Sequence, residues 1–394
     1  MIVKNGTVIL PDEVLVHTDI RIDGDRITGM GKFDSRDEMT MDAAGKYVMP
    51  GFVDIHTHGG GGGDFMDAGH ASIASALDFH ARNGTTSLLA TSVTAPVSDI
   101  EAMIAAVKDY IGSVNDRIEC KIRGVHLEGP YLSLKNKGAQ SETHLRVPAR
   151  DSYDFILRHS DIVKTVTIAP ELEGAAEMTA SLVKRHIVVC GGHDDGEKTA
   201  IMPAIEAGLS HCTHLWCAMS SVAIRNGVRS VGLCELGLTD DRLSVEMIAD
   251  NRHITEDMAK LIYRCKGADK VCVVSDCLRA GGLEEGDTLY RLGSAKDPGA
   301  QQFLVADGAA RLPDYSHLAG SVQPISQMIR NLVCGCGIKL TDAVKMGSLS
   351  PARVIGADSE IGSIAIGKKA DLCLMDPELQ VVSTMIDGRL YQPL

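Results

Sequence analysis

Apolar positions along the chain fall into two textures. Through the middle, short strand-like apolar runs alternate with helical stretches, which is the mark of repeated βα units. Eight runs predict strands: Gly51–Ile55, Thr86–Ala90, Lys121–Leu127, Val163–Ala169, His186–Cys190, Leu209–Thr213, Leu243–Ile248 and Lys270–Ser275. Ala71–Arg82, closed by Asn83-Gly84, predicts a helix ending on a glycine. Gln323–Val333 and Thr341–Met346 predict further helices after the eighth strand. Eight repeats of this kind predict an α/β fold, a (β/α)8 TIM-type barrel over residues 51–355.

The two ends read differently. Val8-Ile9-Leu10 precedes a Pro-Asp turn, Ile20-Arg21-Ile22 precedes Asp23-Gly24-Asp25, and Arg26-Ile27 follows. Near the other end, Ala370–Asp376 and Ser383–Ile386, before the turn Asp387-Gly388, repeat that texture. These ends predict a small β-sandwich domain assembled from residues 1–50 and 356–394, with the barrel inserted between them.

Composition narrows the partners. The chain has 394 residues, 44% of them hydrophobic, and a formal net charge of −13. That size suits one large barrel plus a small accessory domain. The negative balance argues against nucleic acid or an acidic membrane as partner. An anionic substrate must therefore meet local donors. No apolar run approaches the roughly 20 residues that span a bilayer. Polar residues and a glycine interrupt Met1-Ile2-Val3-Lys4-Asn5-Gly6 where a signal peptide would be apolar, so a cytoplasmic protein is expected. Eleven scattered cysteines are expected to be reduced thiols, and Cys334-Gly335-Cys336 lacks the second pair of a zinc ribbon.

Chemistry gathers at the ends of the predicted strands. His56 and His58 follow the first strand, Glu128 the third and His193 the fifth; His214 follows the sixth, His253 the seventh and Asp276 the eighth. In a (β/α)8 barrel these ends meet at one mouth. His56-Thr57-His58 places two imidazoles on one face of an extended segment, since side chains alternate with period two. Singly, Glu128 reads equally as a strand terminator and Asp276 as a helix N-cap. Together they point to metal ligation.

The motifs carry a resemblance. Pro50-Gly51-Phe52-Val53-Asp54-Ile55-His56-Thr57-His58-Gly59, Asp64-Phe65-Met66-Asp67, His126-Leu127-Glu128-Gly129-Pro130-Tyr131, Lys137-Gly138-Ala139, Gly191-Gly192-His193, Thr213-His214-Leu215, Ile248-Ala249-Asp250 with His253, and Ser275-Asp276 lie through the barrel segment. Leu318-Ala319-Gly320-Ser321, Ser350-Pro351-Ala352-Arg353 and Gly367-Lys368-Lys369-Ala370-Asp371-Leu372 extend the pattern almost to the C-terminus. With them the chain resembles the N-acetylglucosamine-6-phosphate deacetylase family of the amidohydrolase superfamily. The resemblance implies that Glu128, His193 and His214 hold one divalent metal. His56 and His58 are retained, so a second ion bridged by Glu128 and completed by Asp276 is chemically reasonable. Imidazole and carboxylate ligands suit zinc or ferrous iron alike. Such an ion lowers the pKa of a water toward neutrality. Asp276 is then expected to take the proton from that water as general base and hand it to the departing amine.

Three departures bear on the substrate. Gln140 stands where the family carries a substrate-reaching histidine; it can donate a hydrogen bond but carries no charge. Trp216-Cys217-Ala218-Met219 replaces a segment that in the family meets a phosphate partly through backbone N–H groups. Cys217 and Ala218 keep the backbone, Cys217 loses a side-chain amide, and Trp216 reads equally as a sugar-stacking or a packing residue. The family also supplies an arginine to the phosphate after the sixth strand, often across a homodimer interface; Arg225 and Arg229 bracket its place. His253 is the further candidate phosphate contact; the plain alternative is an exposed loop residue or the start of a helix, since Ile254-Thr255-Glu256-Asp257 follows directly. Of the competing readings, a cyclic-amide hydrolase would need a carboxylated lysine ending the fourth strand. That strand ends Thr167-Ile168-Ala169-Pro170, with Lys164 at its start. A non-catalytic barrel scaffold would be expected to have shed ligands that are all present here.

Overall fold

The computed structural model describes residues 1–34, 38–113, 117–225, 227–297 and 299–393. Eight parallel strands form one sheet in chain order: β1 (Phe52–Thr57), β2 (Thr85–Ser92), β3 (Lys121–Glu128), β4 (Val163–Ile168), β5 (Val188–Gly191), β6 (His211–Cys212), β7 (Ser244–Met247) and β8 (Val271–Val273). Each coincides with one of the eight expected runs. Helices follow the strands, among them His70–Arg82 after β1 and Glu256–Lys266 after β7. The strands are buried on both faces, as parallel strands under helices must be; every residue of β2 is buried.

The last strands are shorter than the apolar runs suggest. The chain turns away from the ladder just past β5, β6 and β8, at His193 (φ 50°), His214 (φ 21°) and Asp276 (φ 45°). Left-handed backbone is incompatible with a continuing strand, so pairing stops there. Closure between β8 and β1 is made at this rim. The Asp276 N–H donates to the His56 carbonyl at 2.9 Å, the His58 N–H to the Cys277 carbonyl at 2.9 Å, and the Ser275 N–H to the Asp54 carboxylate at 3.2 Å. The barrel is thus shut by the backbone of the candidate ligands themselves.

The chain ends pair in one hydrogen-bonded sheet. Leu372–Met375 lies antiparallel to Tyr47–Pro50, which pairs in parallel with Ile2–Ile9, and Val14–Asp23 and Arg26–Gly31 continue on the far side. Ile20, Ile22, Val48, Leu372, Leu374 and Met385 form a core separate from the barrel's. Period-two burial at Ile20 and Ile22 explains why this region reads as strand in the sequence.

Two elements beyond the barrel carry no sequence expectation. After β8, Gly286–Arg291, Gln302–Ala306, Ala309–Arg311 and Leu318–Gly320 form a four-stranded antiparallel sheet. After β6, Ala223–Arg225 and Val228–Ser230 form a hairpin. The predicted helix 323–333 is Ile325–Arg330 followed by a widened π turn over Asn331–Gly335. The other, Thr341–Met346, runs Leu340–Met346.

Candidate metal centre

All six candidate ligands meet at the barrel mouth. His56 is the next-to-last residue of β1 and His58 lies just past its end; Glu128 ends β3. After Glu128 the chain must turn sharply. Gly129 does so at φ 82°, where a Cβ would collide with the Thr94 hydroxyl. Left-handed backbone at His193, His214 and Asp276 costs on the order of 1–3 kcal/mol each and recurs at Trp216 and Ala218. Strain of this kind clusters where geometry is used.

Glu128 is the hub. Its Oε1 lies 3.0 Å from His193 Nε2, 3.0 Å from His214 Nε2 and 3.5 Å from His56 Nε2. Its Oε2 lies 3.4 Å from His58 Nε2. Asp276 Oδ1 sits 3.2 Å from His58 Nε2 and 3.6 Å from His56 Nε2. His193 Nε2 and His214 Nε2 face each other at 3.1 Å. Two imidazole lone pairs do not approach so closely without a proton or a cation between them. Donor atoms of His56, His58 and Asp276, and again of His56, Glu128 and His214, all lie within 4.8 Å of one another. His56 Nε2 is buried with no hydrogen-bond partner. The donor set therefore fits one or more divalent cations.

Electrostatics agree. Burial pushes against charge on His56 and His58, yet the carboxylates prevail. Glu246 and Glu128 raise His56 to about 9, and Asp276 and Glu128 raise His58 to about 10. Burial pushes Glu128 and Asp276 up, but the surrounding histidines hold both below the usual carboxylate range. The pocket is built for positive charge, and protons fill that role where a cation does not.

Above the ligands opens a cleft of about 390 Å³. Trp216, Cys217, Ala218 and Met219 form one wall, and Gly138–Gln140 with Lys135 another. Leu292 and His317–Gly320, from the unforeseen antiparallel sheet, form a third. Gln140 lines the cleft, but its side chain is committed at both ends. Nε2 donates to Glu128 Oε2 at 2.5 Å, and Oε1 accepts the Thr94 N–H at 2.8 Å. Burial pushes the Cys217 thiol up, so it stays protonated. His253 lines the cleft with its Nδ1 on Asp250 Oδ2 at 2.8 Å. Burial opposes protonation there, but the Asp250 hydrogen bond and charge raise its pKa. Arg225 lies on the hairpin strand Ala223–Arg225, and its side chain lies outside the described residues.

Two residues escaped sequence reasoning. Glu246, 1% exposed, stands inside the barrel on β7 and reaches His56 Nδ1 at 2.9 Å. A carboxylate in the apolar run Val245-Glu246-Met247 was the available signal. Arg279 pairs with Asp67 at 3.1 Å and donates to the Arg291 carbonyl at 2.9 Å, tying the turn that carries Leu292 to the loop after β1. Nothing local in sequence links those three segments.

The sequence pattern of the amidohydrolase family matches residues 47–391. The N-acetylglucosamine-6-phosphate deacetylase of Homo sapiens is 31% identical over 404 residues, covering 97% of this chain and 93% of that protein. An N-acetylgalactosamine-6-phosphate deacetylase from Escherichia coli O157:H7 is 30% identical, covering 87% of each. A solved structure of a Mycobacterium smegmatis N-acetyl-D-glucosamine-6-phosphate deacetylase variant, in complex with N-acetyl-D-glucosamine 6-phosphate, superposes with a TM-score of 0.89. It is 30% identical and covers 99% of this chain and 98% of that one.

Proposed function

Because this chain belongs to the amidohydrolase family and, within it, to the N-acetylglucosamine-6-phosphate deacetylases, we propose that it hydrolyses the N-acetyl group of N-acetyl-D-glucosamine 6-phosphate or a close N-acyl amino sugar phosphate. The products are acetate and the amino sugar phosphate. The observation that carries this reading is the convergence of three histidines and two carboxylates on the floor of one cleft, with His56 buried against them.

Glu128, His193 and His214 would hold one divalent cation, zinc or ferrous iron by donor type, and His56, His58 and Asp276 a second beside Glu128. Such a cation, when bound, acidifies a water and polarises the amide carbonyl. Asp276 takes the proton of the attacking water and returns it to the amine nitrogen as the carbon–nitrogen bond breaks. That return matters because an amine anion is a hopeless leaving group. His253, whose cationic form Asp250 favours, and the backbone N–H of Ala218 are the donors we assign to the phosphate, with Arg225. Cys217 shapes the same wall, its own N–H already donating to the His214 carbonyl at 2.9 Å. Gln140 holds Glu128 in place and leaves one amide hydrogen for the substrate carbonyl. The cyclic-amide alternative finds no support, since β4 ends Val166-Thr167-Ile168 with no lysine at that end for carboxylation, Lys164 lying at its start.

We also read residues 1–50 and 356–394 as a small sandwich-like domain around the barrel, 51–355, on the strength of their shared sheet and separate core. We assign the protein to the cytoplasm: its eleven cysteines are all free of disulfides, and no helix among the described residues is long and apolar enough to cross a membrane. A homodimer is proposed through the hairpin after β6, where Val222, Ile224 and Val228 are exposed. The test of function is acetate release from the metal-loaded protein with the 6-phosphates of N-acetylglucosamine and N-acetylgalactosamine and with the unphosphorylated sugars. Release from a phosphorylated sugar is expected; no release from any of them by fully loaded protein rejects the reading.

A further inference from the structure

Glu246 touches neither the cleft nor the reacting atoms, and its place in the barrel interior is costly. A buried carboxylate without partners loses several kcal/mol of hydration. Its Oε2 accepts the His56 Nδ1–H at 2.9 Å and the His214 backbone N–H at 3.0 Å. Its Oε1 faces His211 Nε2 at 3.5 Å. One carboxylate on β7 thus binds the end of β1 to the turn after β6.

The four candidate metal histidines are held unequally. His193 rests its Nδ1 on a neutral acceptor, the Asn136 carbonyl, at 2.9 Å. The Nδ1 atoms of His58 and His214 have no hydrogen-bond partner among the described residues. His56 is the one anchored by a carboxylate. With a cation bound, that bond fixes its neutral tautomer, with Nδ1 protonated and Nε2 free. The free Nε2 is the buried atom without a partner, 3.5 Å from Glu128 and 3.6 Å from Asp276. A charged anchor also makes an imidazole a stronger ligand than a carbonyl anchor does.

We propose that Glu246 is the positioning residue that commits His56 to metal ligation, and that it thereby decides whether the His56–His58–Asp276 half of the centre holds its own ion. The proposal rests on the metal-dependent reading of the site but not on the identity of the sugar. Glu246→Gln keeps the shape and removes the charge, and Gln can still accept from His56. The ion at Glu128, His193 and His214 does not use His56 and should stay.

The experiment is a Co(II) titration of metal-free protein, followed by visible absorption and by elemental analysis after dialysis, with no substrate present. Wild type should take up two ions. Glu246→Gln should hold the first with affinity unchanged within about threefold, and the second should weaken by about 10- to 100-fold. Its share of the cobalt spectrum should fall in step. Glu246→Asp, which restores the charge on a shorter arm, should recover part of the loss. An unchanged titration in Glu246→Gln overturns the proposal. So does a wild-type stoichiometry of one, or equal loss of both ions together with collapse of the near-UV circular dichroism. Failure to release acetate from every sugar would overturn the substrate reading and leave this result standing.

Discussion

At the barrel mouth His56, His58, Glu128, His193, His214 and Asp276 are each less than a tenth exposed. In the sheet formed by the chain ends, the equally buried positions are Val3, Ile20, Ile22, Leu372, Leu374 and Met385. The end sheet is stabilised by burial itself, about 25 cal/mol for each Å² of apolar surface removed from water. The mouth runs against that gradient. Its groups lose hydration, three of them sit in left-handed backbone, and they persist because each carboxylate faces imidazoles that compensate it. One region tolerates apolar side chains of similar volume; the other tolerates almost no change of chemistry.

Changes on either side of that contrast should separate activity from stability. Asp276→Asn should lower kcat by about 10³-fold or more, because an amide cannot relay the proton. Its melting temperature should stay near wild type. Retention of more than about a tenth of wild-type kcat in an acetate-release assay removes Asp276 from the chemistry. Leu372→Ala, in the end sheet, should do the reverse. Stability to urea should drop by about 2–5 kcal/mol, the usual cost of a fully buried leucine, while kcat per folded molecule holds. If kcat falls with stability, the end sheet and the mouth are coupled.

His253→Ala should lower kcat/KM for a 6-phosphorylated sugar by about 10- to 100-fold, the worth of one charge-assisted hydrogen bond, and leave an unphosphorylated sugar nearly unaffected. Equal loss on both substrates would show that His253 does not read the phosphate. The smallest effect is set by pH. Burial pulls His80 down to about 4, and the Gly59 carbonyl opposes this only in part. A folded pKa below the unfolded value of about 6.5 contributes stability that is full above that value and lost as pH falls toward 4. The melting temperature should therefore decline by a few degrees between pH 6.5 and 4, and His80→Gln should flatten the decline. An unchanged slope in that variant would place the titration elsewhere.

Much of this was legible in the chain. The barrel strands announce themselves because a strand buried on both faces is mostly apolar, and each ligand follows such a run within three residues. His56, His58 and Glu128 needed only that local rule. The strands of the end sheet were equally visible, but their pairing was not. Leu372 opposes Pro50, more than three hundred positions away, in a register that no local pattern carries. The sheet spanning Gly286–Gly320 was missed because its first strand is largely exposed and polar, so neither alternation nor an apolar run marks it. Its contribution to the cleft wall depends on Arg279 bridging Asp67 to the turn after that strand.

The sequence by itself determined which residues could serve as ligands and which strand ends would carry them, since side-chain chemistry and period-two burial are local properties. Only the tertiary structure decided how those ligands are held. Glu128 becomes a hub because strand ends converge on it, and His56 gains a carboxylate anchor because Glu246 reaches it from β7 through the barrel interior. The acceptor that fixes an imidazole's tautomer is chosen by proximity in space, and proximity is what folding supplies.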